Sequence, residues 1–343
     1  MRSEHHYRII LALVVMACFS IIISLGLGSV CIPVDETMGV MMAKLFGQTS
    51  AELNAVTMNI IWNLRFPRVL IGFVVGAALS ISGVIMQSII RNPMADPFVL
   101  GVASGAGFFA TLGLIFGVFS FLGKFALPAS AFLGALVSLL IVMAICQMSR
   151  QRGVLEMLLI GVVVSMVFDA ATRFIVLSAP NALGIHNTEF WMSGSLVNAK
   201  WDYFGVPISI IAIIVLYLSF HYKELNLLSL GETQAMSLGV NVRKKRFIFI
   251  VLTSLLTGIT ISLSGIVGFI GMICPHLARK IVGGNVLAVI PVATLMGGIA
   301  VVWADALART IIAPVELPLG LLTAMMGGPI FLFVFIFKEK GRF

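Results

Sequence analysis

The sequence predicts an all-α polytopic membrane protein with about ten transmembrane helices. Three observations carry that reading. Only 10% of the 343 residues are Asp, Glu, Lys or Arg and 60% are hydrophobic, whereas a soluble domain is roughly 25% charged. Apolar runs near the ~20 residues that cross a bilayer fill most of the chain. The basic residues gather in short clusters between those runs, where loop Lys and Arg set topology. The net charge of +8 therefore reads as topology and not as nucleic-acid binding. No polar stretch is long enough to fold alone, so residues 1–343 form a single transmembrane domain.

The first run, 9–30, follows Arg2 and Arg8. It exceeds the ~7–15-residue core of a secretion signal and no small-residue cleavage site closes it, so it is expected to remain as the first helix. Further spans are expected at 66–89, 98–118, 126–147, 154–178, 204–221, 287–308 and 318–337. The run from Phe247 to Ala278 is too long for one crossing: as a single helix it would extend roughly 48 Å against a core of ~30 Å. It contains Gly258, Gly265, Gly268 and Gly271, and basic residues flank both ends (Arg243 to Arg246, then Arg279 and Lys280). A hairpin of two short helices follows. That makes ten spans with both termini cytoplasmic, and it puts 15 of the 22 Lys and Arg inside and 7 outside, in keeping with the positive-inside rule. Gly101/Gly105 and Gly113/Gly117 place small residues four apart on the third helix, where backbones can approach.

No bond-breaking chemistry is legible. The P-loop and HExxH patterns are absent, the five His are dispersed and the four Cys form no CxxC. The expectation is no catalytic residue, no metal site and no cofactor in this chain. Uphill work would draw on another chain or on an ion gradient.

Ionisable residues at membrane depth are costly and mark functional candidates. Asp169 and Arg173 lie four apart on one helix, and Asp305 and Arg309 repeat the spacing, so each pair shares a face. Two readings stand for Asp169 and Arg173: they neutralise each other, or they line a polar pathway. Arg65-Phe-Pro67-Arg68 sits at the outer mouth of the second span, with Pro67 suited to a first helical turn. Its arginines suit lipid phosphate or the carboxylates of an acidic partner. The inner segment at about 225–242 is short and amphipathic. It reads as an interfacial helix, or as a handle presenting Leu228, Leu230, Met236 and Leu238 to a groove on a cytoplasmic partner.

At these residues the chain resembles the FecCD family of ABC importer permeases, which includes the vitamin B12 permease BtuC and the haem and ferric-siderophore permeases. The strings that carry the resemblance are LRFPRVLIGFVVGAALSISGVIMQSIIRNPMADPFVLGVASGAG (64–107), FWMSGSL (190–196), LGETQAMSLGV (230–240), GFIGMICPHLAR (268–279) and ADALARTIIAPVELPLGLLTAMMGGP (304–329). The resemblance implies a BtuC-like type II importer permease and no enzyme. Its partners would be a second permease copy, by default identical, two ATPase subunits that carry ATP and Mg, and a periplasmic or lipid-anchored substrate-binding protein. By the same resemblance, Arg65, Arg68 and Arg309 receive the binding protein. Leu230, Gly231, Glu232, Ala235, Leu238 and Gly239 seat in the ATPase, and Asn92 and Met94 form the cytoplasmic gate. Met94 stands where the vitamin B12 permease carries Leu, a volume-conserving exchange. The implied cargo is an iron chelate, haem or corrinoid, with an oxyanion such as molybdate as the alternative within the family and an ion-coupled carrier as the alternative outside it. The implied location is a bacterial or archaeal cell membrane, the inner one in a Gram-negative cell. Residues 168–191 depart most from the family pattern, and Asp169 and Arg173 are expected there to face the cavity and touch polar cargo.

Overall fold

A computed structural model describes residues 2–47, 54–148, 153–180 and 182–339, with side chains described from Glu4 to Phe333 within those limits. Arg150, Arg152, Lys340 and Arg342 of the expected inner set lie outside the described residues. Every regular element among the described residues is helical.

The chain opens with α1 (Arg2–Gly26), α2 (Val34–Phe46) and the single turn α3 (Ala55–Asn59). A π-helical stretch, Ile60–Arg65, joins α3 without a break to α4 (Phe66–Ile90). Pro67 sits in the first turn of α4, where its missing N–H costs nothing. A 3-10 turn, Pro97–Leu100, leads to α5 (Val102–Phe116), then α6 (Ala126–Met148), α7 (Val154–Leu177) and α8 (Ala182–Met192). The remainder is α9 (Gly205–Leu230), α10 (Glu232–Ser237), α11 (Val242–Ser264), α12 (Ile270–Val282), α13 (Val286–Thr310) and α14 (Leu319–Glu339).

Helix α4 is the axis of the bundle: almost every residue from Pro67 to Ile89 is buried. It packs on α13, α11 and α12, and glycine sets the distance. A Cβ on Gly76 would stand 2.1 Å from the Gly297 carbonyl oxygen of α13, and one on Gly83 would stand 1.6 Å from that of Gly271 on α12. Backbones this close use the small-residue packing that replaces hydrophobic drive in a membrane. Gly105 of the third span packs in the same way on Gly134 of α6. The Gly113/Gly117 pair does not repeat it. Gly117 has φ 66° with nothing nearby and ends α5 as its C-cap, its N–H bonded to the Gly113 carbonyl.

Among the described residues, seven helical segments are long and apolar enough to cross a membrane: four lie in α1, α7, α11 and α13, and three longer ones contain α4, α6 and α9. The expected hairpin at 247–278 is present with unequal arms. Helix α11 has 23 residues and α12 only 13, so α12 reaches roughly 20 Å and falls short of a full crossing. The turn between them is pinned by backbone: the Ser195 N–H donates to the Ser264 carbonyl at 2.7 Å, and the Leu319 N–H donates to that of Gly194 at 2.8 Å. The FWMSGSL string thus holds the α11–α12 turn against the start of α14. Three elements were not expected: α2, α3 and α8. Helix α9 also runs beyond the expected end of its span, past an irregular turn at His221, to Leu230. The inner segment is therefore largely helical, and its only break before α10 is Gly231.

Candidate pathway and coupling sites

One end of the bundle collects buried charge. Arg65 donates from Nη1 to the carbonyls of Leu25 (2.9 Å) and Gly26 (3.0 Å), and from Nη2 to that of Val30. Arg309 donates to the Leu27 carbonyl (3.1 Å) and to Ser24 Oγ (3.0 Å), and its Nε lies 3.1 Å from Asp305. The last carbonyls of α1 have no partner within their own helix, and two planar guanidinium forks supply it. Arg68 bridges Asp305 (2.9 Å) and Glu316 (2.9 Å). Residue exposure is 7%, 9% and 4% for Arg65, Arg68 and Arg309, and 1% for Asp305. The three arginines converge around one recess of about 420 Å³ that also takes in Gly28, Val197 and Glu316. Their donors are turned inward, however, onto α1 and onto this chain's own carboxylates, and do not stand clear at the surface.

A second cavity, about 530 Å³, lies between α7 and α8. Asp169 and Arg173 are both exposed and both line it, and no ion pair joins them among the described residues. Helix α8 adds Thr188 and Glu189 to the wall, and the buried Thr188 hydroxyl has no hydrogen-bond partner among the described residues. Those two escaped the sequence reading because 182–192 lacks the apolar run that marks a span.

The opposite end is basic. Here α4 stops at Arg91, a non-glycine residue in the left-handed region with φ 57°. Asn92 follows and accepts the Met94 N–H on its Oδ1 (2.9 Å), while Asp96 accepts that of Phe98 (2.8 Å). These two side chains shape the turn that presents Met94, which is 44% exposed. Burial pushes the Asp96 carboxyl above the usual carboxylate range. Near this turn, α10 packs on α9 and α11. Ala235 is buried, whereas Leu230, Met236 and Leu238 are exposed. Leu228, expected on that surface, is instead a core residue of α9: α9 continues through it, and its helical face points inward. Glu232 pairs with Arg246 of α11, and Lys245 pairs with Glu224 of α9 at 2.8 Å.

A helical bundle with this many apolar segments long enough to cross a bilayer is a multi-pass membrane protein. The FecCD transport family model matches residues 14–337, and the chain belongs to that family of ABC transporter permeases. The haemin transport system permease HmuU of Yersinia pestis is 33% identical over 324 residues, 94% of this chain and 95% of that protein. The molybdate import system permease MolB of Haemophilus influenzae is also 33% identical, over 99% of this chain and 98% of its own length. Among solved structures, an inward-facing conformation of a metal-chelate type ABC transporter superposes with a TM-score of 0.82 at 29% identity, covering 96% of this chain and 99% of that one.

Proposed function

We propose that this permease works as an importer: a binding protein delivers cargo at the arginine-rich end, and two ATPase subunits drive its passage between two copies of this chain. The observation that carries the reading is α10, a six-residue helix that leaves Leu230, Met236 and Leu238 exposed beside the turn bearing Asn92 and Met94. Exposed apolar side chains on a short helix suit a groove on a partner. Gly231, Glu232, Ala235 and Gly239 shape and hold that helix. The basic clusters support a cytoplasmic position for this end, by the positive-inside rule, where the ATPases would meet it. At the other end the binding protein covers the recess around Arg65, Arg68 and Arg309, with a partner carboxylate taking the place of Glu316 on Arg68. Asp169 and Arg173 line the conduit between the copies. ATP-driven movement of α10 then opens the turn at Asn92 and Met94, as alternating access requires.

The cargo we favour is a metal chelate, haem or corrinoid. A second reading, oxyanion import, is favoured by the match to MolB along nearly the whole chain. One experiment addresses both. The chain is purified with its co-isolating ATPase and binding protein, reconstituted in vesicles with ATP, and offered ferric siderophore, haemin, cobalamin and molybdate. Uptake of one of the first three that needs ATP supports the favoured reading, and molybdate uptake alone replaces it. Uptake driven by an ion gradient without ATP overturns the importer.

A further inference from the structure

Two sets of residues that the sequence kept apart meet at the basic end. A Cβ on Gly231 would lie 3.4 Å from Nη1 of Arg91, so the turn that introduces α10 rests against the side chain that introduces Asn92 and Met94. Gly231 has φ 132°, a conformation that favours glycine, and is the residue about which a swivel between α9 and α10 would turn. The end of α9 before that swivel is fixed. Asn226 donates to the Asn285 side chain at 3.0 Å and accepts the Val286 N–H at 2.9 Å, tying α9 to the start of α13. Lys245 holds Glu224 to α11. Beyond the swivel, α10 is attached by the pairing of Glu232 with Arg246. The Arg246 side chain is 12% exposed and that of Glu232 44%, so the pair is screened from the Glu232 side only. Helix α11 in turn packs along α4. Arg279 of α12 donates to the Val84 carbonyl (3.1 Å) and to Ser88 Oγ (3.3 Å), one helical turn or so before Arg91.

The geometry points to Arg91 and Arg246 as the positions through which displacement of α10 reaches the gate. We propose that α10 is a lever on Gly231, that the Glu232–Arg246 pair makes it move together with α11, and that the Arg91 side chain passes the movement to the Asn92–Met94 turn. Both arginines are positioning residues, since neither touches nucleotide or cargo. The proposal rests on the reading of α10 as the ATPase-facing element.

The test uses the whole transporter in vesicles and needs no cargo. With Cys18, Cys31, Cys146 and Cys274 replaced by Ser so that their free thiols do not react, the rate at which a maleimide labels Met94→Cys reports the gate, with and without ATP, and ATP hydrolysis is followed in the same sample. In the parent the labelling rate changes with ATP. In Arg91→Ala and Arg246→Gln, hydrolysis is expected to persist while the ATP-dependent change shrinks about tenfold, the scale of coupling changes along such networks. The double exchange Glu232→Arg with Arg246→Glu restores the pair in reverse and should recover the response. The proposal is overturned if the response survives both single variants, or if response and hydrolysis fall in parallel. Leu238→Asp separates the two possible failures. If the ATPase still assembles with that variant, the reading of α10 fails and takes the lever with it. If assembly is lost there but the labelling response persists in Arg91→Ala and Arg246→Gln, only the lever fails.

Discussion

Asp305 illustrates how much one buried carboxylate can hold. It is 1% exposed and serves both Arg68 and Arg309, which in turn meet Glu316 and the end of α1. Replacing it by Ala leaves two buried guanidinium groups without their shared counter-charge, and removing one partner of a buried pair costs about 3–5 kcal/mol. Glu316→Gln removes a carboxylate whose side chain is 35% exposed while Arg68 keeps Asp305. At such a solvent-screened site the loss should stay near or below about 1 kcal/mol. Thermal unfolding of the detergent-solubilised protein, followed by size-exclusion recovery after heating, should rank Asp305→Ala far below Glu316→Gln. Equal losses would mean that the cluster is not the knot described above. The i,i+4 half of the cluster was legible in the sequence, because helical spacing alone places Arg309 over Asp305. The Arg68–Asp305 half was not, since the two residues stand 237 positions apart and only the packing of α4 on α13 brings them together.

Among the elements, legibility followed hydropathy. Runs of apolar residues announced α1, α4 to α7, α9 and α11 to α14, and a hairpin at 247–278 was implied by its length and flanking charge. Helix α8 was hidden, because His186, Asn187, Thr188 and Glu189 interrupt its apolar character. The extension of α9 was hidden by the opposite bias: Lys223, Glu224 and Asn226 look like loop, yet Lys, Glu and Leu are good helix formers and Gly231 provides the stop. Which glycines pack and which merely turn was also beyond the sequence, since both uses give the same spacing. That difference predicts the outcome of a matched pair of substitutions. Gly83→Ala forces a Cβ onto the Gly271 carbonyl and must part α4 from α12, whereas Gly284 has nothing within 4 Å. Overpacking of this kind costs about 1–3 kcal/mol or more. The yield of folded monodisperse protein should fall sharply for Gly83→Ala and stay at the parent level for Gly284→Ala.

On the scale of the whole molecule, the informative feature is what a single copy leaves uncovered. Helix α7 is buried over only 17% of its best apolar window. Its open face carries Leu155, Leu159, Val162 and Met166 and then Asp169 and Arg173, so one stripe runs from apolar to charged toward the α8 end. Lipid satisfies the first part of that stripe and rejects the second. On the proposal that two copies assemble, the second would meet the apolar part and leave a wet gap around the charges, where Glu189 and the Thr188 hydroxyl, without a hydrogen-bond partner among the described residues, would add further polar wall. On this argument Asp169 and Arg173 matter for passage and little for folding, because they are exposed and make no ion pair with each other. Asp169→Asn combined with Arg173→Gln keeps shape and hydrogen-bonding capacity while removing both charges. The expected result is unchanged assembly and thermal stability, with ATP-driven uptake of the identified cargo reduced about tenfold, a loss of ~1.4 kcal/mol in the passage step. Normal uptake by that double variant would remove both residues from the pathway. A collapse of assembly would instead make them an interface pair between copies, buried only when the second copy is present.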